Sequence, residues 1–274
     1  MTPRFKVVRT AQIRPLMDYD EEKVLYLTET IAETGTINVP MPLLKISRNE
    51  YLLLQDSAML EAAKRLEILA LPAQINNSRT RIEIAAEIYS EGFTSDLIEH
   101  FTNEFPRETV VCSGKRELSS YHDHVALGVS INNDAEIYLG FRKTGGGSIS
   151  TTLFDFFDFV GKHCRYTHSI YSGHFRTANL KQSRHWSRLR LIDPDIRDLK
   201  HAGHLGYRFP ASMLQFNTGY RIIGIDFPIN ILNEKVPEKE KERFLRDLIS
   251  FRFRTGHPEF IGSGVFLLSS PIKK

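Results

Sequence analysis

Between Tyr51 and Ile75 the chain reads YLLLQDSAMLEAAKRLEILALPAQI, and no other segment restricts the fold as tightly. Tyr51 to Leu54 suits a buried strand, and Gln55-Asp56-Ser57 suits a turn. Ala58 to Leu66 has helical spacing, with Leu60, Ala63 and Leu66 on the inward side, and Leu71 to Ile75 reads as a further strand. A strand that passes the chain to a helix through so short a turn leaves the first N–H groups and the positive dipole end of the helix at the turn. That is a seat for an anion. Asp56 and Ser57 also stand where capping side chains would, so a plain N-cap is the competing reading of the same residues.

The preceding residues extend this unit. Phe5 to Val8 suits a short strand, and Ile13-Arg14-Pro15 must be extended because the residue before a proline avoids the helical region. Asp18 or Asp20 can cap a helix from about Glu21 to Thr34, with acidic residues at its positive end and Gly35 to stop it. Leu43 to Ile46 is a strand entered past Pro40 and Pro42. The first third is therefore expected to be β-α-β-β-α-β, a mixed-sheet layer.

Beyond Asn76 the spacing predicts helices over Thr94 to Phe105, Thr151 to Lys162, Asp195 to Ala202 (stopped by Gly203) and Pro237 to Thr255. In the last of these Phe244, Leu245, Leu248 and Phe251 are expected on one side. Hairpins are expected at Val125 to Ile131 with Ile137 to Phe141, and at Met213 to Phe216 with Tyr220 to Phe227. Phe260 to Leu268 reads as a closing strand. The fold class expected is α+β, with a mixed-sheet domain over 1–80 that carries the anion seat and a second α+β domain over 81–274.

Composition narrows the function. The 274 residues carry 36 basic and 33 acidic side chains, a formal charge of +3, which argues against a protein built to neutralise a nucleic-acid backbone. No apolar run reaches the length of a membrane span, and the N-terminus has no apolar signal core. Two cysteines, Cys112 and Cys164, make no disulfide framework, so a reducing cytoplasm is the simplest setting.

The order IRP, ETIAETG, INVPMPLLKI, LLLQDSAMLEAAKRL and LALPAQI resembles the ParB/sulfiredoxin superfamily. Within it the chain is most similar to the free serine kinases of the SbnI-like, siderophore-cluster branch. The C-terminal stretch FPASMLQFNTGYRIIGIDFPINILNEK, with ERFLRDLISFRFRTG and VFLL, resembles the last third of that branch. The resemblance implies nucleotide-dependent phosphorylation of free L-serine to O-phospho-L-serine, with ATP or ADP and Mg2+, a small amino-acid substrate and a biosynthetic enzyme as partner. It also implies a glutamate base just after the I-x-P entry and a D-G-H-H-R turn that holds the phosphates.

The sequence departs from that pattern at the turn. Ungapped, Gln55, Asp56, Ser57, Ala58 and Met59 stand at the five motif positions, and Met17 stands at the glutamate. A one-residue slip would make Asp56 the motif aspartate and Asp18 the base. Alanine and methionine cannot donate to phosphate oxygens, and losing a charge-assisted contact costs about 1.5–3 kcal/mol. If activity survives, Asp18, Asp20 or Glu21 is the candidate base, Gln55 to Met59 faces phosphate or magnesium, and Lys64 and Arg65 assist only from the flank. A non-catalytic sensor of nucleotide, phosphoserine or another metabolite is the alternative, and a DNA-binding regulator is the second.

Other signals have bland readings beside the sharp ones. Gly145-Gly146-Gly147-Ser148 can be a phosphate cradle or a plain loop, and the basic run Phe175 to Arg190 an anion surface or a solvated face. His122 and His124 would share one strand face, without an evident third metal ligand. Cys164, His163, His168 and His174 can be ligands, a reactive thiol site or ordinary structural residues.

Overall fold

The computed structural model describes residues 4–76, 83–131, 136–143, 150–167, 186–218, 221–255, 258–260 and 265–268. It divides into two compact units: Met1–Glu83 with Phe216–Lys274, and Ile84–Gln215. The division differs from a 1–80 and 81–274 split because the C-terminal segment returns to the core of the first unit, where Ile222, Phe227, Leu232 and Leu245 are buried with Val24, Leu43 and Leu53.

The first unit opens with β1 (Arg4–Arg9), β2 (Ile13–Pro15), α1 (Glu21–Thr34), β3 (Thr36–Ile37), β4 (Met41–Lys45), β5 (Tyr51–Leu53), α2 (Ser57–Arg65) and β6 (Ala70–Asn76). The strand order is β1-β6-β4-β5-β2, with β4 parallel to β6, β2 parallel to β5, and the β1–β6 and β4–β5 pairs antiparallel. This is the expected β-α-β-β-α-β layer with two short strands added: β2 at the edge of its sheet and β3, which pairs with a later strand instead. Of the two aspartates offered as caps for α1, Asp20 does it, accepting from the N–H groups of Glu22 (2.9 Å) and Lys23 (3.4 Å). Gly35 ends the helix at φ +64°, a left-handed position that suits glycine.

The second unit follows: β7 (Glu83–Glu91), α3 (Ser95–Glu104), β8 (Thr109–Cys112), α4 (Lys115–Leu118), β9 (His124–Ser130), β10 (Ile137–Arg142), α5 (Thr151–His163), β11 (Arg165–Thr167), β12 (Trp186–Leu191), α6 (Ile196–Leu205) and β13 (Leu214–Asn217). Its sheet runs β11-β7-β12-β9-β10-β8, with β13 on β7. Aromatic packing fills its core: the Phe101 and Phe141 rings meet Phe156 at 5.1 and 5.4 Å. The β9–β10 hairpin is present, though its Asn132-Asn133-Asp134 turn lies outside the described residues. Helix α6 runs through Gly203 and stops at Gly206, where φ is +81°.

The chain then returns as β14 (Arg221–Ile223), β15 (Phe227–Pro228), α7 (Ile229–Asn233), α8 (Glu238–Thr255), β16 (Glu259–Phe260) and β17 (Val265–Leu267). Two expectations are corrected here. The hairpin between 213–216 and 220–227 does not form, because β13 lies on β7, while β14 pairs in parallel with β17. Helix α8 buries Lys241, Leu245, Ile249 and Arg252, and leaves Phe244 and Phe251 39% and 47% exposed. The two cations can sit on the buried stripe because Lys241 donates to Leu232 O at 2.6 Å and Arg252 pairs with Asp226 at 2.9 Å.

Candidate functional site

The turn between β5 and α2 is in the first unit, and its backbone is unusual. Asp56 holds φ +67° and ψ +43°, the left-handed region, just before α2. Aspartate tolerates that region better than most residues, but glycine is its usual occupant. An aspartate at an N-cap ordinarily accepts from the second or third helical N–H, yet the Asp56 side chain makes no capping hydrogen bond. The simple capping reading therefore fails at this residue.

The carboxylate is engaged elsewhere. Arg221, at the start of β14, donates from Nη2 to Asp56 Oδ2 and from Nη1 to Gln55 Oε1 at 3.1 Å. Gln55 Nε2 in turn donates to Phe216 O at 3.3 Å. Lys23, in the first turn of α1, brings its Nζ to 3.9 Å from Asp56 Oδ1. The side chains of Asp56 and Arg221 are only 26% and 24% exposed, so the pair is poorly screened and the two groups hold each other in place. A guanidinium and an ammonium thus converge beside the amino end of a nine-residue helix, with one protein carboxylate between them.

The first turn of α2 carries a further polar atom. Ser57 is 7% exposed, and its buried Oγ has no hydrogen-bond partner among the described residues; the same holds for Arg221 Nε. Ala58 and Met59 are buried apolar residues, 5% and 8% exposed, packed in the core of the unit. Of the five residues expected at the phosphate seat, Gln55, Asp56 and Ser57 bring polar side chains to the turn, while Ala58 and Met59 are buried in the core.

The candidate bases separate as clearly. Asp20 is committed to capping α1. Glu21 makes a two-pronged pair with Arg65 of α2, 2.6 and 2.9 Å, and the guanidinium beside it holds its carboxyl below the usual range. Arg65 also approaches Glu61 at 3.8 Å and Lys64 lies 3.9 Å from Glu61, so both cations serve the helix surface. Asp18 is exposed in the segment leading to α1, and Met17 is buried.

Among the described residues no three His, Cys, Asp or Glu side chains converge on one point. His122 lies in the turn before β9 rather than on a strand face with His124. His163 Nδ1 lies 2.8 Å from Phe159 O of its own helix, and burial pushes the Cys164 thiol up. His168, His174, the 145–148 glycine loop and most of the 175–190 basic run lie outside the described residues. No helix among the described residues is long and apolar enough to cross a membrane.

Arg221 is the residue that sequence reasoning missed. Its only trace was the resemblance of the C-terminal third to one branch of kinases, since nothing in TGYRIIG marks an arginine that folds back across 165 positions.

No family model matches the chain, and no well-characterised protein matches it in sequence. Solved structures do. SbnI from Staphylococcus aureus, in a C-terminally truncated form, matches with TM-score 0.66 at 14% identity, over 91% of this chain and 97% of its own. A free serine kinase in complex with AMP matches with TM-score 0.59 at 11% identity, over 85% of this chain and 95% of its own. A mutant free serine kinase in complex with ADP gives 0.57 at 12% identity, over 84% and 94%. The chain has the α+β, ParB/sulfiredoxin-like fold of SbnI and the free serine kinases.

Proposed function

We propose that this protein binds a phosphorylated small molecule, of the nucleoside-diphosphate or phosphoserine class, at the amino end of α2, on a serine-kinase scaffold whose phosphoryl-transfer chemistry has been lost. The observation that carries this reading is the convergence of Arg221 and Lys23 on Asp56 beside that helix end. Two cations, a buried serine hydroxyl with no partner among the described residues and the helix dipole all favour an incoming anion. The structural neighbours solved with AMP and ADP make a nucleotide the first ligand to try.

Loss of transfer is argued from the bases. Phosphoryl transfer needs positioned charges and a group to orient the nucleophile. Asp20 and Glu21 are spent on α1 and on Arg65, Met17 is apolar, and Ala58 and Met59 offer no donor side chain. Any Mg2+ would come with the phosphates, since that ion keeps most of its waters and is ordinarily held by one or two carboxylates plus phosphate oxygens. The ungapped register also gains support. A positive φ at Asp56 is what the motif's glycine position would take, and it favours the register in which Gln55 stands at the motif aspartate.

The experiment is calorimetric titration with ADP and with O-phospho-L-serine, alongside incubation with Mg2+, ATP or ADP and L-serine. Saturable binding that drops at least about tenfold in Arg221→Ala, with no phosphoserine formed, is the expected outcome. A second reading, a surviving serine kinase with Asp18 as base, rests on the exposure of Asp18 in the segment entering α1. Phosphoserine formed by the native chain and lost in Asp18→Asn would establish it instead. Absence of binding by both ligands at millimolar concentration overturns the proposal.

A further inference from the structure

The second unit holds a cavity of about 380 Å3 that the α2 site does not involve, within the 300–1,000 Å3 range of small-molecule sites. It lies between α4 with the turn after it, the start of β9, and the connection from β12 into α6. Its apolar wall includes Leu118, Val125, Leu191 and Leu199, with the Tyr121 ring at the side. Gly140, beneath this wall, is required by close packing: a Cβ there would lie 2.6 Å from Val110 Cγ2, 3.0 Å from Leu118 Cδ1 and 3.4 Å from His124 Cδ2.

The polar groups are unevenly distributed. Lys115 is closed by its 3.0 Å pair with Asp193, both well exposed, so that pair is locally neutral and weak. Lys143 is half-buried, and among the described residues its ammonium meets the His122 carbonyl, at 3.5 Å, with no carboxylate within ion-pair distance. Beside it stand His122 and His124. The His124 side chain is 8% exposed, its Nδ1 is fixed 2.7 Å from Asp123 Oδ1, and its ring meets the edge of Tyr121 at 5.3 Å. An imidazole held by a carboxylate on one nitrogen is pre-oriented to use the other. Asp198, in the first turn of α6, is the one carboxylate of the lining not closed by a lysine, and it disfavours an acid on its own side.

We propose that this cavity binds a small organic acid, with the carboxylate against Lys143, His122 and His124 and an apolar body on the Leu118, Val125 and Leu199 wall. A half-buried ammonium with no counter-ion among the described residues favours an incoming anion, because pairing recovers interaction that burial has cost it. The wall supplies area for a hydrocarbon body, and Asp198 fixes which end faces Lys143. The cavity lies within the second unit and is independent of the reading of the α2 turn.

The test uses one hydrocarbon body with three head groups: 3-phenylpropionate, 3-phenylpropan-1-ol and 2-phenylethylamine, titrated calorimetrically into the full-length protein. The acid should bind saturably, the alcohol and amine at least about tenfold more weakly, and Lys143→Ala should weaken the acid about tenfold. Ala126→Phe, which fills the cavity, should abolish binding, with the melting temperature of each variant confirming that it folds. Equal affinity for acid and alcohol, no saturation below about 10 mM, or a Kd unchanged in Lys143→Ala would each overturn the proposal.

Discussion

At the scale of single residues, Asp56 decides what the α2 turn can do. Its carboxylate lies between Arg221 and Lys23, so in the proposed anion site ligand and aspartate would compete for the same cations. Asparagine accepts the left-handed backbone as readily as aspartate, and it leaves both cations unopposed. Asp56→Asn is therefore expected to raise affinity for ADP or phosphoserine at least about tenfold, equivalent to about 1.4 kcal/mol, and to lower stability by roughly 1 kcal/mol. Calorimetry and a denaturant melt read the two effects separately, and a fall in affinity would show that Asp56 holds the ligand instead. At this scale the sequence was readable where a side chain acts on its own neighbours. Asp20 caps α1 and Gly35 ends it, because both roles are set within four residues. The Asp56–Arg221 pair was not readable, since its partner is brought by tertiary packing alone.

Elements were legible in proportion to how local their determinants are. Helices α1, α2, α3, α5 and α8 fall within a few residues of their expected ends, because apolar period, caps and stop residues lie inside each segment. Strand partners are a different matter. Asn217-Thr218-Gly219 looks like a hairpin turn, but β14 is claimed by β17, over forty residues later in the chain. Strand β12 was hidden inside the basic run: in WSRLRL the buried Ser187, Leu189 and Leu191 alternate with Arg188 and Arg190, which are anchored by Glu136 on the opposite face. Attachment of β17 has a point of failure at Gly224. There φ is +80°, and a Cβ would run into the Leu268 carbonyl oxygen, while Gly224 N–H donates to Asn38 O at 3.0 Å. Gly224→Ala is expected to cost at least about 2 kcal/mol and lower the melting temperature by roughly 5 °C. A thermal melt unchanged by the substitution would mean that this junction is free to shift.

For the whole molecule, the chain order matters more than the boundary expected near residue 80. The first unit is assembled from 1–83 and 216–274, with the second unit inserted as one continuous segment. Phe227, Leu232, Leu245 and Ile249 from the returning segment are buried in the first unit's core, and burying four such side chains contributes about 6–12 kcal/mol. That is comparable to the whole stability of an ordinary domain, about 5–15 kcal/mol, so the first 83 residues should not fold alone. The same segment carries Arg221, so the proposed anion binding and completion of the core depend on one stretch of chain. A fragment of residues 1–83 is expected to show no cooperative melt and no affinity for ADP, and a peptide of residues 216–274 added in trans should restore both. The 84–215 fragment, with its own aromatic core, should melt cooperatively without help. A sharp unfolding transition in 1–83 alone would show that the first unit needs no returning segment, and would turn Arg221 from an integral part of the fold into an addition to it.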